Sequence, residues 1–250
     1  MTSIEIQGVV DKLEPGKEKY AKALIAAGDS FTEAYKIFND PDYESRKGWK
    51  VEVNQPDVKI HSKQYPFGNV FALSALAPIK ADLAFRESFD HFENIPTWNS
   101  NMCYSKIVTT LTDHTDIVHY ANPSIMTVKS RDYVVARIWR KIGDEIYAGG
   151  KSIELEEIPE TKDRVRAKLH LGCGKFVPDK YRVRAKLHLG CGKFIPDKCD
   201  PNKTHLEYIL AIDLKGLIPK SIVNSAMGKM MVKDFEETTK RYKEIMANQN

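Results

Sequence analysis

Residues 213–247 have the sequence DLKGLIPKSIVNSAMGKMMVKDFEETTKRYKEIMA, which predicts a strand end, a turn and a long final helix. Gly216 suits the turn, and Pro219 suits the first position of a helix, where its missing N–H would have no partner anyway. Apolar residues then recur at steps of three and four as far as about Ala247, which indicates one apolar face. That face includes Ile222, Val223, Ala226, Met227, Met230, Met231, Phe235, Tyr242 and Met246.

The chain before this helix alternates between helical and strand-like patterns. Residues 17–39 and 80–98 carry apolar side chains at helical spacing, whereas the other segments are rich in β-branched and aromatic residues. No linker rich in proline, glycine or serine divides the chain, so we expect a single α+β domain over residues 1–250. The expected strands are Gly48–Asn54, Val58–Gln64, Asn69–Ala77, Ser105–Leu111, Asp116–Ala121, Tyr133–Ile142, Glu145–Leu155 and His205–Leu214.

Residues 164–181 and 182–199 are tandem copies of one segment, RVRAKLHLGCGKFVPDKY followed by RVRAKLHLGCGKFIPDKC. Each copy has five basic residues and one aspartate, so each contributes +4, which equals the formal net charge of the whole chain. The basic balance therefore comes from the duplication, and we expect no nucleic-acid partner. A single repeat is not a solenoid either, because solenoids need about three or more units.

Each copy has the pattern of a strand interrupted by Gly-Cys-Gly. An antiparallel sheet cannot accept one additional internal strand without reversing every later strand. We therefore expect one copy to occupy the sheet and the other to be extruded as a loop or a peripheral hairpin. The extra loop length costs little, about 0.6 kcal/mol per doubling. The sequence does not decide which copy is in the sheet.

Composition predicts a cytoplasmic protein with a substantial core. The hydrophobic fraction is 42%, yet no apolar run approaches the ~20 residues of a membrane span, and the first residues lack the apolar region of a signal peptide. The four cysteines are scattered, and the duplication accounts for the apparent Cys/His cluster, so we expect neither disulfides nor a bound metal. No nucleotide-binding or nucleophile motif is visible, and we expect no cofactor and no enzymatic activity.

The order of these elements, together with several short motifs, resembles a START lipid-transfer domain over about residues 20–246. The resemblance is nearest to the sterol-binding and small cytosolic members. It implies a helix-grip fold, in which a curved antiparallel sheet of about nine strands surrounds a long C-terminal helix and a hydrophobic tunnel. The motifs are Gly48-Trp49-Lys50, Trp98-Asn99, Arg131-Asp132-Tyr133-Val134, Asp213-Leu214-Lys215-Gly216 and Pro219-Lys220-Ser221.

Arg137 is the first candidate ligand contact that the resemblance indicates, because a sterol-binding member has a buried arginine paired with a carboxylate on this strand. The matching acidic position falls near residues 118–120, where this chain has Val118, His119 and Tyr120. A buried guanidinium needs a partner. We therefore expect His119 or Tyr120 to supply a polar contact, or Arg137 to meet a lipid headgroup; the alternative is an Arg137 that faces solvent.

The remaining candidate contacts lie on the last helix and on one loop. Met227, Met231 and Phe235 are ordinary core by their spacing, and the resemblance makes the same face the floor of the tunnel. The loop over residues 121–130 contains Met126 among other apolar residues, and the resemblance makes it the gate loop at the tunnel mouth. Lysines on the last helix could touch an anionic membrane surface, but a solvated polar face explains them better.

The resemblance favours a non-enzymatic, monomeric carrier that binds one sterol or similar lipid and contacts membranes transiently. A phospholipid or carotenoid carrier is the alternative, favoured by the absence of a carboxylate at residues 118–120. A ligand-sensing interaction module is a further alternative, since a fold alone does not fix a function.

Overall fold

The computed structural model describes residues 2–124, 129–143, 145–176, 193–196, 203–213 and 220–248. Two of the sequence expectations lie outside these residues. One is the position of Met126, and the other is the turn before Pro219.

One sheet, antiparallel along its main path, forms the centre of the molecule, and the predicted α+β class is confirmed. Its main path runs in the order β3-β4-β5-β13-β11-β9-β8-β7-β6, with β10 added beside β8 and β12 beside β13. The strands are β1 (Ser3–Ile6), β2 (Val9–Lys12), β3 (Lys50–Asn54), β4 (Val58–Tyr65), β5 (Gly68–Ala77), β6 (Tyr104–Thr112), β7 (Thr115–Asn122), β8 (Arg131–Ile142), β9 (Glu145–Ser152), β10 (Val165–Arg166), β11 (Lys168–Phe176), β12 (Lys193–Pro196) and β13 (Thr204–Asp213).

Helices cover both faces of this sheet. The first helix packs on one face, and the long last helix packs on the other, where its apolar residues join the largest core cluster. None of the helices in the described ranges is both long and apolar enough to cross a membrane. The helices are α1 (Ala21–Phe38), α2 (Pro41–Ser45), α3 (Ala81–Ser88) and α4 (Lys220–Ala247), with short 3₁₀ helices at Glu18–Tyr20 and Phe92–Thr97.

The two-residue period of the strands explains how one sheet serves two cores. On β8, Tyr133 and Val135 join the core cluster beneath α4, whereas Val134 and Ala136 join the cluster beneath α1. All four side chains are at most 2% exposed, so β8 is buried on both faces. This central strand therefore presents one row of side chains to the space enclosed by α4.

A two-stranded hairpin, β1–β2, lies outside the main sheet and was not expected from the sequence. Gln7 and Gly8 connect its strands with φ angles of 54° and 75°, the left-handed geometry that a tight hairpin turn requires. Asp11 on β2 fixes the hairpin to the sheet, because its buried carboxylate pairs with the buried guanidinium of Arg140 on β8. The same carboxylate accepts a hydrogen bond from Thr112 at 2.7 Å.

The duplicated segment does not divide as expected, because described residues of both copies pair with β13. The first copy supplies Lys168–Gly174, and its Gly174 pairs with Tyr208. The second copy supplies β12, whose Lys193 pairs with the next residue of β13, Glu207. The expectation that one copy alone occupies the sheet was wrong. Because the two copies are nearly identical, the second copy can continue the pairing with β13 from the residue where the first copy stops. Residues 177–192 and 197–202 lie outside the described ranges.

Candidate functional site

A cavity of ≈ 260 Å³ lies between the inner face of the sheet and α4. Its wall is mostly apolar, and it receives side chains from the central strands, from the segment around the second 3₁₀ helix, and from α4. A mostly apolar cavity with few polar groups is typical of a small-molecule site. Apolar residues on the wall include Leu73, Phe92, Val118, Val135, Met231 and Phe235.

Arg137 lines this wall and forms a buried ion pair with Asp116. The two residues are direct cross-strand partners on β8 and β7. The Arg137 Nε donates to Asp116 Oδ1 at 2.8 Å, and Nη2 donates to Asp116 Oδ2 at 2.5 Å, so the pair is bidentate. Their side chains are only 10% and 8% exposed. Arg137 therefore does not face solvent.

Backbone and aromatic groups hold the Arg137 guanidinium in place. Its Nη2 also donates to the carbonyl oxygen of Phe89 at 3.1 Å, and its Cζ lies 4.0 Å from the Phe89 ring centroid and 4.5 Å from that of Phe92. Such a position over aromatic faces favours a cation. The guanidinium is thus fixed before any ligand arrives.

The carboxylate partner of Arg137 differs from the sequence expectation. Residues 118–120 were the expected partner positions, but the register of β7 and β8 places Asp116 opposite Arg137. Asp116 lies two residues before that window. The argument that the chain lacks a carboxylate opposite Arg137 was therefore wrong.

His119 has a different role from the one expected. It lies between two residues that line the cavity, so the alternation of the strand directs it to the other face. Its Nε2 lies 2.8 Å from Asp132 Oδ2, and Arg166 Nη2 donates to the same oxygen at 2.8 Å. Burial would raise the pKa of Asp132, but the hydrogen bonds from Arg166 and His119 outweigh burial and lower it. His119 is therefore a structural partner of Asp132.

Tyr120 lies on the cavity wall, as do two of the three candidates on α4. The Tyr120 ring stacks on that of Tyr133 with centroids 4.8 Å apart. Met231 and Phe235 face the cavity, whereas Met227 is 1% exposed and packs in the core beside it. The structure thus brings Tyr120, Arg137, Met231 and Phe235 to one wall. It places Met227 behind that wall and His119 away from it.

A polar cluster that sequence reasoning missed joins the segment after the second 3₁₀ helix to α4. Asn99 Nδ2 donates to Asp234 Oδ1 at 2.7 Å, and the Ser100 hydroxyl donates to Glu237 Oε1 at 2.6 Å. Burial raises the pKa of Asp234, and hydrogen bonds from Asn99 and Asn101 offset part of that rise. The sequence signal that could have identified this cluster is the run of small polar residues after Trp98, Asn99-Ser100-Asn101.

Comparisons with known proteins agree with this geometry. The START domain family model matches residues 30–247. Steroidogenic acute regulatory-like protein 1 of Caenorhabditis elegans is 32% identical over 247 residues, which covers 98% of this chain and 88% of that protein. The steroidogenic acute regulatory protein of Xenopus laevis is 30% identical over 227 residues, covering 89% of this chain and 67% of that protein.

Solved structures show the same fold at lower identity. Human StAR-related lipid transfer protein 5 superposes with a TM-score of 0.72 at 16% identity and covers 91% of this chain and 99% of its own. Human STARD10 gives a TM-score of 0.65 at 18% identity and covers 87% of this chain and 81% of its own. The predicted helix-grip fold is confirmed by these neighbours.

The sheet, the last helix and the enclosed apolar cavity together define a lipid-binding module. The chain belongs to the START family, whose domains are lipid-binding transfer modules and not enzymes.

Proposed function

We propose that this chain carries one sterol, or a similar compact lipid, in the cavity beneath α4 and transfers it between membranes. The observation that supports the proposal most is Arg137, which lies on the mostly apolar wall and is paired with Asp116. A sterol combines a rigid apolar body with one hydroxyl that both donates and accepts hydrogen bonds. The Arg137 guanidinium, which lines the cavity, can donate to that hydroxyl.

The energetics of burial support a functional role for this pair. Replacing a buried ion pair with apolar residues of similar volume is often neutral or stabilising, so a buried pair does not by itself favour the fold. Arg137 nevertheless takes up part of the cavity wall, and Asp116 is its ion-pair partner. Ligand binding gives a reason for their presence that stability does not.

The size of the cavity favours a compact ligand. At ≈ 260 Å³ it lies just below the usual range of ligand pockets, which is roughly 300–1,000 Å³. A two-chain phospholipid needs more space than a fused-ring lipid. The phospholipid or carotenoid alternative also loses its main argument, since Asp116 supplies the carboxylate that residues 118–120 lack.

Transfer between membranes requires brief contact with a lipid surface, and we place this activity in the cytoplasm, in a monomer. Lys229, Lys233, Lys240 and Lys243 are exposed on α4 beside the cavity, and such side chains favour an anionic surface. Acidic neighbours such as Glu236 and Glu244 are exposed on the same helix. The contact is therefore expected to be weak and reversible, as a carrier needs.

Sterol titration of a paired double variant tests the proposal. Replacing Arg137→Met together with Asp116→Leu removes the polar pair without leaving an unpaired charge. We expect a folded protein whose sterol affinity, measured with a fluorescent sterol, falls at least about tenfold, because hydrogen bonds to charged groups are lost.

The matched control is the other buried pair on β8, replaced as Arg140→Met with Asp11→Leu. This pair joins β8 to the N-terminal hairpin and does not line the cavity. The control should bind sterol as the unmodified protein does. Equal sterol affinity in both double variants would contradict the proposed role of Arg137 and Asp116.

A further inference from the structure

A second polar group lies on the cavity wall at a distance from the Arg137 pair. Tyr133 is fully buried at 0% exposure, and it lines the cavity. Within the described ranges, its hydroxyl has no hydrogen-bond partner. A buried hydroxyl without a partner costs free energy, and phenylalanine would preserve the ring stacking on Tyr120 without that cost. The hydroxyl therefore needs an explanation other than packing.

The position of Tyr133 defines a second end of the cavity. Tyr133 and Arg137 lie four residues apart on β8, on the same face of the strand. At the ordinary rise of a strand, their Cα atoms are roughly 13 Å apart. Val135 lies between them on the same row, and Val118 lines the wall from the neighbouring strand. Two polar groups are thus separated by an apolar stretch.

A second unpartnered donor shares this wall. Trp98 lines the cavity, and its buried Nε1 has no hydrogen-bond partner among the residues that the structure describes. An indole N–H can only donate, and a phenol can donate or accept. Burial raises the pKa of Tyr133 well above its ordinary value, so the phenol remains protonated and able to donate. A ligand oxygen that accepts a hydrogen bond would satisfy either side chain.

The acceptor is expected to be uncharged. Burying a carboxylate or phosphate without a paired counter-charge costs far more than burying a hydroxyl or ketone oxygen. The cationic side chain on the cavity wall, Arg137, is already neutralised by Asp116. A ketone, ester or hydroxyl oxygen therefore fits the Tyr133 end best.

We propose that Tyr133 and Trp98 form a second ligand subsite, which binds an uncharged oxygen at the end of the lipid opposite to the group bound by Arg137 and Asp116. The proposal rests on the proposed lipid-carrier function and narrows its ligand. The preferred ligand is a sterol-like lipid that is oxygenated at both ends, for example a sterol hydroxylated on its side chain.

The test compares two probes that differ in one oxygen: cholesterol and cholesterol hydroxylated at the end of its side chain. In the unmodified protein, we expect the hydroxylated sterol to bind roughly threefold to tenfold more tightly, the effect of one net hydrogen bond. Tyr133→Phe should abolish this preference, so that the ratio of the two dissociation constants falls to about one, while the ring and its stacking on Tyr120 are kept.

Tyr147→Phe is the matched control. It removes another buried phenol hydroxyl, which donates to Glu145 at 2.6 Å on the α1 side of the sheet. This variant should keep the full preference for the hydroxylated sterol.

The outcomes separate the two proposals. Binding of neither sterol would overturn the proposed carrier function itself. Binding of both sterols with equal affinity would overturn only the second subsite, as would a preference that survives Tyr133→Phe.

Discussion

Gly174 and Lys193 lie in different copies of the repeat, yet they pair with consecutive residues of β13, Tyr208 and Glu207. Lys193 occupies the position in the second copy that Lys175 occupies in the first. The ladder on β13 is therefore the one that a single uninterrupted copy would make. One copy of the segment is sufficient to pair with β13.

Deletion of residues 175–192 joins Gly174 directly to Lys193 and should leave the fold intact. We expect the free energy of unfolding to stay the same or rise, because the deletion removes only the surplus copy and keeps the pairing with β13. Urea denaturation measures this. Deletion of residues 182–199 is the control, since its product differs only by Val for Ile and Tyr for Cys. Loss of cooperative unfolding in both products would contradict a shared ladder.

Asp11 should be essential to the attachment of the N-terminal hairpin. Asp11→Ala leaves the buried guanidinium of Arg140 without its carboxylate, and breaking such a pair costs about 3–5 kcal/mol. The control is Glu157→Ala, which removes an exposed partner of Lys19 and should change stability little, because exposed ion pairs are weak. Equal, small losses in the two variants, measured by urea denaturation, would exclude a buried hairpin anchor.

Gly150→Ala should disturb both stability and the site. A Cβ at Gly150 would lie 2.7 Å from Val135 Cγ1, 3.0 Å from the Ala136 carbonyl oxygen and 3.4 Å from Arg137 Cγ. Because one of these neighbours is backbone, we expect a loss of about 1–3 kcal/mol and weaker sterol binding.

The control for Gly150 is Gly28→Ala on α1. Its Cβ would meet the flexible end of Ile4 at 2.9 Å, and the helix gains about 0.5–1 kcal/mol from alanine. We expect Gly28→Ala to be close to neutral in thermal unfolding. Equal stability of the Gly150→Ala and Gly28→Ala proteins would contradict this prediction. It would mean that the strands around Gly150 shift enough to make room for the added Cβ.

Asp234 should make the protein less stable as pH rises through its titration. Burial raises its pKa in the folded protein above the unfolded value of about 3.8, so the unfolded chain loses this proton first as pH increases. The resulting penalty is absent below pH ~3.8 and complete above the folded pKa.

Asp234→Asn removes this penalty and keeps the oxygen that accepts from Asn99. Its free energy of unfolding should exceed that of the unmodified protein at pH 7. The difference should shrink as the pH falls towards the pKa of the free carboxyl. Urea denaturation at several pH values checks this. A constant difference at all pH values would contradict a raised pKa.

Much of the fold was predictable because long apolar periodicities dominate this sequence. The helical spacing after Pro219 identified the last helix, and the β-rich segments identified most strands within one or two residues. The β1–β2 hairpin was missed, since its Gln7-Gly8 turn lacks the Asn-Gly or Asp-Gly signal and its strands are only four residues long.

The candidate site was harder to predict because it depends on strand register. Arg137 was identified, but its partner was assigned two residues too late, since the long connection between β7 and β8 does not fix how the strands align. Tyr133 was quoted as part of a motif without a role. Its significance appears only when burial and hydrogen bonding of its hydroxyl are known.

The central claim is that the cavity beneath α4 binds one sterol-like lipid. Native mass spectrometry of the purified protein, after incubation with vesicles of cholesterol and phosphatidylcholine and with extraction of the bound lipid, tests it most directly. The account predicts one bound lipid per chain, with the mass of cholesterol, and loss of that lipid in the Arg137→Met, Asp116→Leu double variant. A chain that stays lipid-free, or that extracts phosphatidylcholine instead, would contradict it.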